Sequence, residues 1–161
     1  MDLVALQEIR WLGNGILEKN GVIVYSCNPV KHVFGVGFYV NPRFLSNIPS
    51  FEPVNDRLSW IRVRGKYRNY SIINARSPIE DKDDEENDTF YLELEAVYSQ
   101  CPRHDIQMVL GDFNAKLGKE ESNYRYVGRN GLRAECNGKG YKLVQFGAAT
   151  DLITGETIFT H

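Results

Sequence analysis

Four polar residues that could do chemistry together stand where apolar stretches of the chain end. Glu8 follows one apolar run, Asn74 ends a second, and Asp112 follows a third run and a glycine, with Asn114 two residues further along. Carboxylate and amide oxygens are hard ligands, and proteins commonly hold Mg²⁺ with one or two carboxylates, water and substrate phosphate. If the three strands share one rim of a sheet sandwich, these residues could form a metal and phosphate site.

The alternative interpretation is structural. Asp and Asn are common turn residues, because their side chains bond their own backbone, and Glu8 would then be an exposed strand tip. The Asp112/Asn114 pair alone favours a turn, whereas the repetition of polar residues at three strand ends favours a metal site. On the residues alone both interpretations stay open.

The strands that must position these residues are predicted from their β-branched and aromatic content. Most of them lie in the first half of the chain, and the last two are short. They are residues 3–7, 22–25, 35–40, 58–63, 67–74, 106–110, 152–154 and 157–159. Residues 60–74 read as a hairpin, and Gly13-Asn14-Gly15 reads as a turn.

Two helices are predicted in the second half. Phe90, Leu94, Val97 and Cys101 recur at helical spacing, with Asn87 or Asp88 as the expected cap and a proline after the last turn. A second helix is expected from about residue 138 to 150. Strands followed by interleaved helices, with consecutive hairpins, favour antiparallel pairing and the α+β class.

Length and composition restrict the class of protein. The 161 residues fit one domain, 1–161, and a formal charge of −2 gives no general basic footprint for nucleic acid. A local patch would be needed, and the candidates alternate on the predicted hairpin: Arg57, Arg62, Arg64, Lys66 and Arg68. Such alternation is more typical of one solvated face of a hairpin.

Cysteine usage and hydropathy bear on location. Three cysteines lie far apart without zinc spacing, so neither a disulfide framework nor a structural zinc is indicated. The chain shows no signal-like or membrane-length apolar segment. We therefore expect a reducing, nuclear or cytoplasmic location and no membrane partner.

Four segments, in order along the chain, carry a family resemblance. They are DLVALQEIRW at 2–11, GVGFYVN at 35–41, IINARSPIEDKDDE at 72–85 and LGDFNAKLG at 110–118. Together they resemble the endonuclease/exonuclease/phosphatase superfamily, and more narrowly the apurinic/apyrimidinic-type endonucleases of non-LTR retrotransposons and the proteins derived from such elements.

The resemblance implies a four-layer α/β/β/α sandwich and Mg²⁺-dependent hydrolysis of a phosphodiester in DNA, with Mn²⁺ as an alternative ion. It makes Glu8 the metal ligand and Asp112 the residue that positions or deprotonates water. Asn114 would support Asp112 and the phosphate, and Asn74 would contact substrate.

The chain also departs from the family pattern. Arg76 stands where the family has tyrosine or histidine, and a guanidinium can hold phosphate but cannot act as a base at neutral pH. The family's first strand with its asparagine, and its late aspartate and histidine segment, have no counterpart, so the expected domain is truncated at both ends. Activity of this chain alone is therefore expected to be low.

Three functions remain in view. The first is a retroelement-type DNA endonuclease fragment, the second a non-catalytic remnant or interaction scaffold, and the third a phosphatase of the same superfamily. Missing edge strands would leave open sheet edges, through which the chain could self-associate.

Overall fold

The computed structural model describes residues 1–18, 20–79, 84–118, 126 and 135–155. In these ranges the strands are β1 (Leu3–Gln7), β2 (Asn14–Glu18), β3 (Val22–Cys27), β4 (Gly35–Val40), β5 (Ser50–Pro53), β6 (Leu58–Val63), β7 (Tyr70–Arg76) and β8 (Ile106–Asp112). The helices are α1 (Asp84–Gln100), α2 (Gly138–Thr150) and a short 3-10 helix (Pro42–Asn47). This content confirms the predicted α+β class.

The chain divides into two compact units. The first, the sheet unit, comprises Met1–Ser77 and Ala96–Asp112, and the second, the helical unit, comprises Pro78–Glu95 and Phe113–His161. The division passes through α1, so this helix contributes residues to both units. That residues 1–161 form one domain stays a prediction.

Two four-stranded sheets build the sheet unit. Their strand orders are β1-β4-β3-β2 and β5-β6-β7-β8. Every neighbouring pair is antiparallel except β7 and β8, which are parallel. A parallel pair needs a long crossover, and α1 lies in that connection. The expectation of antiparallel pairing therefore fails only there.

The sheets pack face to face, with β1 contacting β7 and β8 while β4 contacts β6 and β7. Apolar side chains of both sheets fill the space between them, and Phe38 meets Phe51 edge to face with ring centroids 6.3 Å apart. The buried members of this core are Val24, Phe38, Val40, Ile61, Val63 and Ile72. This packing is what the strand pattern predicted and is consistent with a sandwich.

The helical unit has its own small core. Leu117 and Val144 are buried there, with Cys136 and Leu143 packed against them. Asn137 caps α2, because its side-chain oxygen accepts from the Gly140 N–H at 2.8 Å. The observed bounds of α2 confirm the predicted ones.

Some predicted elements differ from the observed ones. Helix α1 includes residues from Asp84 onward, so Asn87 and Asp88 lie inside it rather than capping it. The predicted strand 152–154 is absent, since Thr154 alone forms an isolated bridge, and 157–159 lie outside the described residues. Strands β2 and β5 were not predicted, because their residues are mostly exposed or half-buried and carry turn-like Asn, Gly and Pro.

Neither α1 nor α2, the α-helices in the described part of the chain, has the length and hydrophobicity needed to cross a bilayer.

A buried ion pair joins β6 to the turn before β8. The Arg62 guanidinium donates to both carboxylate oxygens of Asp105 at 2.7 and 3.0 Å, and the Ser71 hydroxyl donates to the same carboxylate at 2.9 Å. The Asp105 side chain is fully buried. Hydrogen bonding from Arg62 is the main reason that the pKa of Asp105 is lowered.

The stability of the sheet unit is expected to fall in acid because of Asp105. A lowered folded-state pKa stabilises the native state above the unfolded pKa of about 3.9, and that contribution disappears as the pH falls through the folded pKa. Asp105→Asn should cost about 2 kcal/mol at pH 7, since it leaves a partly exposed guanidinium without its charge partner. Urea unfolding of the parent chain and of Asp105→Asn, measured from pH 7 to pH 2, should show that their difference in free energy of unfolding becomes smaller as the pH falls. A constant difference would contradict the assignment.

Candidate functional site

Glu8 projects from an irregularity at the end of β1. Gln7 still pairs with Val36 of β4, and the next ladder position, Gly35, accepts from the Ile9 N–H at 3.0 Å instead of facing Glu8. Glu8 is therefore an extra residue, as in a β-bulge, and its φ of 58° lies in the left-handed region. Bulges re-aim side chains next to functional sites, and such a φ at a non-glycine residue costs about 1 kcal/mol or more. The fold thus exposes the Glu8 side chain at this site although the backbone conformation there is unfavourable in free energy.

The Glu8 carboxylate meets the guanidinium of Arg76, the last residue of β7. Arg76 Nη2 donates to Glu8 Oε1 at 2.9 Å, and Arg10 Nη2 lies 3.9 Å from Glu8 Oε2. The Arg76 side chain is 7% exposed and that of Glu8 is 57% exposed. The pair therefore joins a buried cation to an anion that reaches solvent.

The aromatic ring of Phe34 packs against the Arg76 guanidinium. The guanidinium carbon of Arg76 lies 4.8 Å from the Phe34 ring centroid, and that of Arg57 lies at the same distance. Arg57 also accepts, through its carbonyl, the Arg76 backbone N–H at 2.9 Å. Cation–π contact partly offsets the burial of guanidinium charge.

Asn74, two residues before Arg76, connects the two sheets. Its Nδ2 donates to the carbonyls of Leu6 and Gly37, each at 2.8 Å, and its Oδ1 accepts from Gln7 Nε2 at 2.7 Å. The side chain is fully buried. Asn74 therefore fixes the end of β1, and with it Glu8, against β7. The predicted substrate contact of Asn74 stays a prediction.

Gly111 and Asp112 end β8 beside Ala75 and Arg76. A side chain at Gly111 would overlap the Ala75 carbonyl, and its φ of 153° is one that other residues rarely adopt. Asp112 aligns with Arg76 in the parallel ladder, and its carbonyl accepts from the Ser77 N–H at 2.8 Å. The Asp112 side chain is exposed. The glycine thus lets β8 deliver Asp112 close against the end of β7.

Asn114 belongs to the helical unit. Its φ is 48°, a conformation that asparagine tolerates better than most residues, and its side chain is exposed. Its carbonyl accepts from Asn137 Nδ2 at 3.5 Å, while Asn137 Oδ1 accepts from the Lys116 N–H at 2.9 Å. The cap of α2 therefore also organises the loop that carries Asn114.

The sheet unit thus brings Glu8, Asn74, Arg76 and Asp112 to one end of its sandwich, and their predicted roles stay predictions. Among the described residues, no three His, Cys, Asp or Glu side chains are grouped closely enough to form a metal cage. A Mg²⁺ site needs only one or two carboxylates, with water and phosphate as the other ligands. The exposed Glu8 carboxylate fits that coordination, although in this structure its partner is Arg76.

Sequence reasoning missed the residues that support the site. Phe34 lies outside the four segments that carry the resemblance, and Gln7 lies inside the first of them without having been assigned a role, while the alternating arginines hid the roles of Arg57 and Arg62. Arg57 lies on Phe34 and Arg62 pairs with Asp105, so these two members of the predicted basic face make structural contacts.

No family model matches the chain. It is similar to Craniofacial development protein 2 from Bos taurus, with 29% identity over 160 residues, which is 99% of this chain and 27% of that relative. Craniofacial development protein 2 from Tragulus javanicus gives the same identity over the same length, with 28% of that protein covered. The chain therefore spans little more than a quarter of the curated relatives that it matches.

Replacement of Asn74 should weaken the whole sheet unit. Asn74→Ala removes three buried hydrogen bonds, so we expect a loss of about 3 kcal/mol in the free energy of unfolding. Asn74→Asp should cost at least as much, because a carboxylate would face two carbonyl oxygens.

Urea unfolding monitored by fluorescence would measure both losses. Asn47→Ala is the matched control, since that amide makes long, exposed hydrogen bonds, donating to the Arg64 carbonyl at 3.5 Å and accepting from the Ser46 hydroxyl at 3.4 Å. An Asn74→Ala loss no larger than that of the control would contradict the anchoring role.

Proposed function

We propose that this chain contributes the strand-end residues of a Mg²⁺-dependent phosphodiesterase site, of the type found in retroelement DNA endonucleases. The proposal includes a four-layer arrangement of the complete domain, DNA as substrate, Mn²⁺ as an alternative ion, and a nuclear or cytoplasmic location. The observation that supports it most strongly is the bulge at Glu8, where the backbone has an unfavourable positive φ. The bulge directs an exposed carboxylate to the strand ends where Arg76 and Asp112 lie side by side.

In this proposal, each residue of the site has its own role in hydrolysis. Glu8 would hold the metal ion, which when bound supplies positive charge to neutralise the scissile phosphate. Asp112 would orient a water molecule and accept its proton, and Asn114 would support the phosphate. Arg76 offers a fixed positive charge for a phosphate oxygen and, because it stays protonated, no base.

Activity of the chain alone is expected to be slow. Members of a catalytic group act as a unit, so the loss of one often costs a factor of about a thousand. Arg76 in place of the family's tyrosine or histidine removes acid–base help from that position. The ion pair between Arg76 and Glu8 further occupies the proposed metal ligand.

A non-catalytic scaffold is the second candidate, favoured by the outer edge of the second sheet. Strand β8 ends that sheet's order, and Ile106, Met108 and Leu110 are each 37–40% exposed along it. An exposed apolar edge strand is a template for pairing with another chain. We propose a second copy of this chain as the occupant.

Plasmid nicking tests the enzymatic proposal. We expect slow conversion of supercoiled DNA in the presence of Mg²⁺ and none with a chelator. Asp112→Ala and Glu8→Gln should each reduce the rate by about a thousandfold or to background. Glu18→Gln is the matched control, because Glu18 is an exposed acid at the opposite end of the first sheet. Equal rates for the parent chain and Asp112→Ala would show that the nicking comes from elsewhere.

Light scattering coupled to size exclusion tests the scaffold. The chain should show a concentration-dependent rise in mass, and Met108→Lys should abolish it, since a charge on an edge strand opposes pairing. Leu92→Lys, at a more exposed apolar position on α1, should leave the mass unchanged. A monomer at every concentration would contradict self-association.

A further inference from the structure

We propose that Arg76 is an internal cation that competes with divalent metal for the Glu8 carboxylate, so that the metal binds only when the ion pair opens. This inference rests on the proposed role of Glu8 as metal ligand, and it adds a control on metal affinity that is built into the fold.

The two partners of the pair differ in their exposure to solvent. The Arg76 side chain is 7% exposed and lies over Phe34, whereas the Glu8 side chain is 57% exposed. Arg76 is therefore fixed in the protein interior, and Glu8 is the partner that can turn toward solvent. A metal ion in solution must draw Glu8 away from a guanidinium that cannot follow it.

Opening the pair leaves Arg76 poorly satisfied. Its Nε and Nη1 atoms are buried and have no hydrogen-bond partner among the residues that the structure describes, while Nη2 donates to Glu8 Oε1 at 2.9 Å. Once Glu8 turns away, the buried guanidinium keeps its contact with the Phe34 ring but loses that charge partner. Leaving a buried charge without its partner is costly, and this cost is subtracted from the free energy of metal binding.

The resulting loss of affinity is moderate. A fully buried pair would cost a factor of several hundred or more, but the exposed side of Glu8 is screened by water. We therefore expect a neutral residue at position 76 to tighten metal binding by about tenfold, which corresponds to about 1.4 kcal/mol.

Mn²⁺ titration of the full chain, followed by the electron paramagnetic resonance signal of the free ion, tests the proposal without any activity measurement. Arg76→Gln should bind Mn²⁺ about tenfold more tightly than the parent chain. Arg76→Tyr should do the same if Arg76→Gln folds poorly, and circular dichroism would establish which variant is native. Arg76→Lys keeps the positive charge, so its affinity for Mn²⁺ should stay close to the weak affinity of the parent chain.

Arg10→Gln is the matched control, because Arg10 also faces Glu8 but at 3.9 Å and with a largely exposed side chain. Its affinity should stay within about twofold of the parent. Adding Glu8→Gln to Arg76→Gln should remove the gain, because the competed ligand is then absent.

The outcomes separate the two proposals. Equal affinity in the parent and Arg76→Gln, with both losing binding on Glu8→Gln, would overturn the competition and leave the metal role of Glu8 intact. A gain that persists in the double variant would overturn the competition, since the ion then binds elsewhere. Absence of Mn²⁺ binding in every folded variant would overturn both the competition and the metal role of Glu8.

Discussion

The fold of the sheet unit depends on one buried amide. Asn74 uses both of its N–H donors on the carbonyls of Leu6 and Gly37, and its oxygen on Gln7, so a single side chain joins β7 to two strands of the opposite sheet. Apolar packing between sheets is non-directional and would tolerate small shifts of one sheet over the other. Hydrogen bonds with defined donors and acceptors fix the relative position of the strands. The residues at the ends of β1 and β7, Glu8 and Arg76 among them, are therefore held in defined positions relative to each other.

Charge is the second constraint at this end of the sandwich. The Arg76 guanidinium is buried at the end of β7, and its charge is compensated by the Glu8 carboxylate and the Phe34 ring. Partial compensation makes the local arrangement sensitive to any third charge that arrives. A phosphate oxygen could replace Glu8 as the partner of Arg76, while a cation could replace Arg76 as the partner of Glu8. If the proposed function holds, one ion pair would link the binding of an anion to the binding of a cation.

Much of this arrangement could be read from the sequence, because it depends on strands with strong patterns. The bounds of β1, β4 and β6 follow from runs of branched and aromatic residues, and α2 follows from its helical spacing. Glu8 contacts Arg76, and Asp112 lies beside Arg76 in the ladder, because all three residues stand at strand ends that share one end of the sandwich.

Other features could not be predicted, since they arise from partners distant in sequence. Asn74 looks like a ligand at a strand end, and only the opposite sheet shows that its amide is buried. The bulge at Glu8 depends on how Ile9 pairs with Gly35. Strand β2 has no buried residue and four of its five residues are exposed, so its sequence gave no periodic signal.

The bonds of Asn74 also bear on how the chain folds. They connect residues 67 and 68 positions apart, and the parallel pairing of β7 with β8 spans a helical crossover. Contacts of such separation form slowly, because the intervening chain must lose its freedom before the contact contributes any stability. Local hairpins such as β2–β3 and β6–β7 can form early, while the rim that carries Glu8 and Arg76 is assembled late. A partly folded chain therefore has sheets before it has a site.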